Sequence, residues 1–181
     1  MRRLIGNFRI KLATSRFPMI EERIKHLSEL IDNEDHVNRI VFMVLNNDDI
    51  DIILKFMVGA LPGYASDMFL KRAQLFLMQV NRGTGLLDVS RCTIPADYQV
   101  PKILRHKGCL EYSDELANMV DNEILIPKGS IFEVEIRAAT IFAAKRMAHM
   151  ALCTELGADN FLWQSRKECT EPFHLTVTTD Y

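Results

Sequence analysis

The sequence predicts an all-α protein: a single helical domain over residues 1–181 that ends in an extended C-terminal tail. Three observations lead there. Apolar residues recur at helical spacing along most of the chain. Serine and aspartate stand at the starts of several of these runs, where a side-chain oxygen accepts from the unpaired backbone N–H groups of a first turn. Period-two alternation is confined to the end, where His174, Thr176 and Thr178 alternate with Leu175, Val177 and Thr179, and one strand cannot make a sheet alone.

Taken in order, Ile20, Ile24, Leu27, Leu30 and Ile31 share one face while Glu21, Glu22, Lys25 and Glu29 share another, the pattern of an amphipathic surface helix. Asp32-Asn33-Glu34-Asp35 closes it. Two apolar segments follow, Val37 to Leu45 and Ile50 to Val58, and Asp48 or Asp49 caps the second. Leu61-Pro62-Gly63 is a breaker, after which Ser66-Asp67 is expected to cap a helix carrying Met68, Phe69, Leu75, Phe76 and Met78. Asn81-Arg82-Gly83-Thr84-Gly85 reads as a loop, too short and too poor in lysine to cradle phosphate as a P-loop does.

Further on, Pro101 fits the first position of a short helix that ends at Gly108, and Ser113-Asp114-Glu115 starts the next. Pro127-Lys128-Gly129 interrupts the chain. Ser130-Ile131-Phe132-Glu133 matches a capping box, and Val134, Ala138, Ile141, Ala148 and Leu152 predict one long helix that Gly157 stops.

A chain of 181 residues suits one compact domain, which buries roughly 70% of its unfolded surface. With 48% hydrophobic and 25% charged residues it has the composition of a soluble globular protein with a core. A net charge of −2 and an isoelectric point near 6.2 offer no general attraction for polynucleotides. The opening Met1–Arg9 is charged and no long apolar run follows, so neither a secretory leader nor a membrane span is expected and the protein is placed in the cytoplasm. Cys92, Cys109, Cys153 and Cys169 are widely spaced and are read as reduced, mostly buried thiols. His26, His36, His106, His149 and His174 are equally scattered, so no metal and no cofactor is expected.

Three places could carry chemistry. Asp97 lies between Pro95 and Pro101 on a constrained turn, either as the cap of the helix that follows or as a catalytic carboxylate. Glu133 and Arg137 are four residues apart, which gives a solvated salt bridge, or an arginine held to meet a phosphate or carboxylate. Asp159 and Glu168 flank Trp163, the one tryptophan; it is either a core side chain or a platform for a flat heterocycle.

The segments "KRAQLF" at 71–76, "ADYQVPKIL" at 96–104, "KGCLEYSDEL" at 107–116, "EVEIRAATI" at 133–141, "FLW" at 161–163 and "PFH" at 172–174 resemble, in order, the queuosine salvage protein family. The resemblance covers roughly residues 17 to 181, and the chain looks N-terminally shortened beside the family. It implies an all-helical fold similar to helix-hairpin-helix DNA glycosylases and a hydrolase that releases queuine from queuosine 5′-phosphate, for salvage into tRNA modification. Asp97 matches the family's catalytic aspartate. An ionised carboxylate beneath the anomeric carbon stabilises the positive charge that builds on the ribose, attacks that carbon, or orients water. The 7-deazaguanine base has carbon in place of N7, so another acid must activate its departure; Asp159 is the candidate, with Trp163 stacking nearby.

Pro95 stands where the family usually has an aromatic wall of the base pocket, Glu168 where it has an aspartate, and Gln164 where it has an acid. Arg137 completes the expected substrate-binding set. The implied partner is a small nucleotide, not a polynucleotide or a membrane. A shortened relative could instead act as a binding or assembly module and form a homo-oligomer, because large apolar patches tend to be covered.

Overall fold

The computed structural model describes residues 19–181, so the reading of Met1–Arg9 lies outside the described residues. The described chain is helical, and it falls into two compact units: residues up to Val89 with Asp180, and Ser90–Thr179 with Tyr181.

The first unit holds α1 (Ile20–Asp32), α2 (Glu34–Leu45), α3 (Ile50–Ala60), the single turn α4 (Pro62–Ala65) and α5 (Lys71–Thr84). Asp49 caps α3 by accepting from the Asp51 N–H. Ile53, Met57, Leu61 and Leu77 are its largest fully buried side chains. Each contributes about 1.5–3 kcal/mol relative to remaining exposed. Leu61 is extended and the chain breaks there as expected, and Pro62, which needs no N–H partner, takes the first position of α4. Gly63 is required there: a Cβ would collide with the Glu29 carboxylate, whose oxygens both accept from the Gly63 N–H.

Two expectations change in this unit. Asp67 does cap, accepting from the N–H groups of Phe69 and Lys71, but the helix begins at Lys71, because Leu70 takes a left-handed φ of 52°. Met68 and Phe69 therefore precede it. Asn81-Arg82-Gly83-Thr84 is helix rather than loop; the left-handed glycine that ends α5 is Gly85, at φ 67°, whose N–H closes on the Asn81 carbonyl.

The second unit holds α6 (Gln99–His106), α7 (Asp114–Asp121), α8 (Ile131–Met150), α9 (Glu155–Ser165) and a 3₁₀ turn, Arg166–Glu168. Ser113 and Ser130 cap α7 and α8 as expected. Helix α9 packs on α8 and α6 through a core of Ile94, Val100, Ile103, Leu104, Ala144, Leu162 and Cys169. A second cluster joins Leu116, Val120, Ile126 and Ile136.

Helix α8 is shorter than predicted. It ends at Met150, Leu152 turns into the left-handed region with its side chain in solvent, and Gly157 lies in the first turn of α9, donating its N–H to Thr154 Oγ1. The buried face of α8 also differs: Glu133, Ile136, Arg137, Thr140, Ala144 and Ala148 point inward, while Ala138 is exposed.

The tail forms no strand among the described residues. It makes one isolated parallel bridge, Leu125 with Leu175, and Thr176 Oγ1 donates to the Ile126 carbonyl. Of the four thiols, Cys92 and Cys169 are buried, whereas Cys109 and Cys153 are exposed. No helix of the described residues is long and apolar enough to cross a membrane.

Candidate active site

Asp97 is placed by the core on both sides of it. Ile94 and Val100 are buried in one cluster, Pro95 and Ala96 are buried between them, and Asp97 itself is 8% exposed. Helix α6 begins at Gln99, two residues before Pro101, because Asp97 serves as its cap: Oδ1 accepts from the N–H groups of Gln99 at 2.7 Å and Val100 at 3.2 Å. Oδ2 has no hydrogen-bond partner among the described residues. One oxygen is thus fixed by the first turn of a helix, whose dipole favours an anion. The other is left to interact with whatever approaches.

Arg137 holds the residue in front of Asp97. Its Nε donates to the Ala96 carbonyl at 3.2 Å, and Nη1 lies 3.3 Å from Glu133 Oε1. The guanidinium also sits 4.7 Å from the Tyr181 ring centroid. The expected solvated salt bridge is therefore buried, with side-chain exposures of 3% and 4%, because the helix turns both residues inward toward the loop of Asp97. Glu133 accepts from the Gly129 N–H at 3.1 Å, so the capping box closes one residue earlier than its ideal form.

His174 and Tyr181 complete this polar cluster. His174 Nε2 and the Tyr181 hydroxyl are 3.2 Å apart, and burial, then the charge of Arg137, lowers the His174 pKa to about 4. Burial is also the main cause that raises the Tyr181 phenol pKa. His174 Nδ1 is buried without a partner among the described residues. A second group flanks Asp97: the rings of Tyr98 and Phe173 meet at 4.8 Å between centroids. Tyr98, Phe173, His174 and Tyr181 were not among the predicted site residues, and Glu133 was expected only as the partner of Arg137. The "PFH" segment held two of them in view, but nothing in its spacing paired it with residue 98 or 181.

Asp159 and Trp163 lie one turn apart on α9, on the flank of its buried face of Ala158, Leu162 and Ser165. Asp159 is half-buried and Trp163 is 40% exposed, so the tryptophan is not a core side chain. The Arg166 guanidinium covers the indole at 4.3 Å, and Arg166 donates to the Trp163 carbonyl at 2.6 Å. Glu168 is exposed at the end of the 3₁₀ turn. The structure thus joins Arg137 to the Asp97 loop by a hydrogen bond. Asp159 and Trp163 stand on the helix whose Leu162 packs in the same core as Ile94 and Val100, and among the described residues Asp97 makes no hydrogen bond to either of them or to Glu168.

A carboxylate with one anchored and one open oxygen, on a rigid loop, can stabilise or attack an electron-poor carbon. Comparison with known sequences finds a family match. The sequence model of the family described as "Queuosine salvage protein" matches residues 4–179.

The chain belongs to the queuosine salvage protein family.

The match runs across both units and includes Asp97, Arg137, Asp159 and Trp163. Among curated members, a protein of Dictyostelium discoideum is 34% identical over 73% of this chain and 47% of its own length. One from Sphaerobacter thermophilus is 32% identical over 62% of this chain and 39% of its own length. One from Mus musculus is 30% identical over 71% of this chain and 40% of its own length. Each is named queuosine 5′-phosphate N-glycosylase/hydrolase. The chain spans about half the length of these family members or less.

Proposed function

We propose that this chain carries the catalytic carboxylate of a queuosine 5′-phosphate N-glycosidase, hydrolysing the bond between ribose and base to give queuine and ribose 5-phosphate. The observation that carries the reading is the geometry of Asp97 within its family segment: Oδ1 tied to two backbone N–H groups, Oδ2 open. The names of the family relatives and the match over residues 4–179 support the substrate class. That match also supports reading residues 1–181 as one family domain.

In this scheme the bond from the anomeric carbon to the base nitrogen breaks, and its electron pair leaves with the base. Positive charge spreads over the ribose ring, and the ionised Asp97 meets it from one face. Water adds its oxygen to the anomeric carbon, directly or after a covalent bond to Asp97, and the proton it gives up restores the carboxyl that protonates the base. The departing base takes a proton, for which Asp159 is the donor in this reading, while Trp163 stacks on the base and Pro95 supplies apolar wall. Glu168 contributes a further substrate contact. Arg137 is already committed to Glu133 and Ala96, so its part is to hold the Asp97 loop. The queuine released feeds tRNA modification in the cytoplasm, and the partner is a nucleotide rather than a polynucleotide.

Incubating the pure chain with queuosine 5′-phosphate, beside a full-length relative, tests this: queuine is expected by mass spectrometry. Its absence while the relative turns over rejects the reading. A second reading, a binding or assembly module that has lost turnover, is favoured by the exposure of Val41, Phe42 and Leu45 on α2. It predicts self-association without product, and a monodisperse monomer counts against it.

A further inference from the structure

We propose a divalent metal site at the C-terminal end of α6, built from His106, Cys169 and Glu171 and independent of the glycosidase reading. An imidazole nitrogen, a thiol sulfur and a carboxylate oxygen lie within 4.8 Å of one another there, although His106 and Glu171 are 65 positions apart in the chain. His106 Nδ1 and Glu171 Oε1 are 2.9 Å apart. Donors around tetrahedral zinc, at metal–ligand distances of about 2.0–2.3 Å, are roughly 3.4–3.6 Å from each other. The His–Glu pair opens by about half an ångström to admit the ion, and the widest separation closes by about one.

The donor set selects the ion. Sulfur with imidazole and a single carboxylate suits zinc and its spectroscopic substitute cadmium, whereas calcium and magnesium take oxygen donors. Three protein ligands leave a fourth position for water. Without an ion the cluster does little: His106 and Glu171 are each more than 40% exposed, and such pairs contribute about 0–1 kcal/mol. Among the described residues the Cys169 sulfur has only a long hydrogen-bond contact, 3.9 Å to the Lys102 carbonyl.

The charges around the site set limits on affinity. Carbonyl dipoles at the end of α6 favour a cation. Lys102, whose ammonium donates to the Cys169 carbonyl at 3.3 Å, and Arg105, which senses the Glu171 charge, oppose it. A bound ion clasps residues 169–171 to α6, the helix that Asp97 caps.

Titrating the full chain with Cd²⁺ in a non-thiol reductant tests the site, following thiolate-to-cadmium absorption in the ultraviolet and the heat of binding. One saturable equivalent is expected, displaced by Zn²⁺. Cys169→Ser should abolish the absorption band, and His106→Ala and Glu171→Gln should each weaken binding at least tenfold. Cys109→Ser with Cys153→Ser, which removes the two exposed thiols, should leave the titration unchanged. Cys169 is buried, so if Cys169→Ser does not fold, the two exposed ligands carry the decision. Absence of a saturable band overturns the proposal. So does a band that survives His106→Ala and Glu171→Gln, or one that is lost with Cys109 and Cys153.

Discussion

Replacing Arg137 by methionine keeps much of the aliphatic stem and removes the guanidinium, and the structure lets the cost be worked out. The contacts that vanish include Nε to the Ala96 carbonyl, Nη1 to Glu133, and the face of Tyr181. Glu133 then loses its cationic partner at 3% exposure, with the Gly129 N–H and the Tyr181 hydroxyl left beside it. Breaking a buried pair in this way costs about 3–5 kcal/mol, whereas a solvated pair at the same spacing is worth about 0.3–0.5. Urea denaturation reads the difference, with fluorescence of Trp163, the one tryptophan, reporting on the same unit and circular dichroism on the helices. The double variant Glu133→Gln with Arg137→Met removes the orphaned charge and should be more stable than Arg137→Met alone. A loss below about 1 kcal/mol, or a double variant no more stable than the single one, refutes the buried-pair reasoning.

Asp97→Asn keeps an oxygen for the Gln99 and Val100 N–H groups and should change stability by less than about 0.5 kcal/mol, while Asp97→Ala loses the cap and should cost about 1–2 kcal/mol by the same denaturation assay. His174 supplies a pH dependence. Its unfolded imidazole takes up a proton below about 6.5 and its folded one only near 4, so this contribution is full above 6.5, shrinks as pH falls through that window, and is gone below it. At about 1.4 kcal/mol per pH unit the window is worth about 3 kcal/mol, and His174→Gln should flatten the slope of stability between pH 6.5 and 4. If Trp163 stacks on the base, adding queuine should quench its fluorescence with saturation, and an unchanged spectrum would remove it from the binding set.

Local chemistry was readable where one side chain decides it. Asp49, Ser113 and Ser130 cap the helices they precede, and the apolar face of Ile20–Ile31 became α1. Readings failed where a backbone conformation or a distant partner decides. Leu70 and Leu152 adopt left-handed φ values that their identity does not announce, which moved the start of α5 and the end of α8. The spacing of Glu133 and Arg137 reveals a pair but not its burial, since Ala96 and Tyr181 reach it from 41 and 44 positions away. Asp97 shows both sides: the turn chemistry identified a cap, and the cap is there, yet only the ordered family-like segments pointed past it to catalysis.

That step from cap to catalyst is the central claim, and one paired measurement tests it most directly. Release of queuine from queuosine 5′-phosphate should be followed by mass spectrometry for the wild-type chain and for Asp97→Asn, each shown to be folded by circular dichroism. The wild type is expected to turn over, and Asp97→Asn to fall by roughly a thousandfold, in the range lost when an electrostatic stabiliser of a transition state is removed. Equal rates in the two proteins would contradict the account, because Asp97 would then be a helix cap and nothing more.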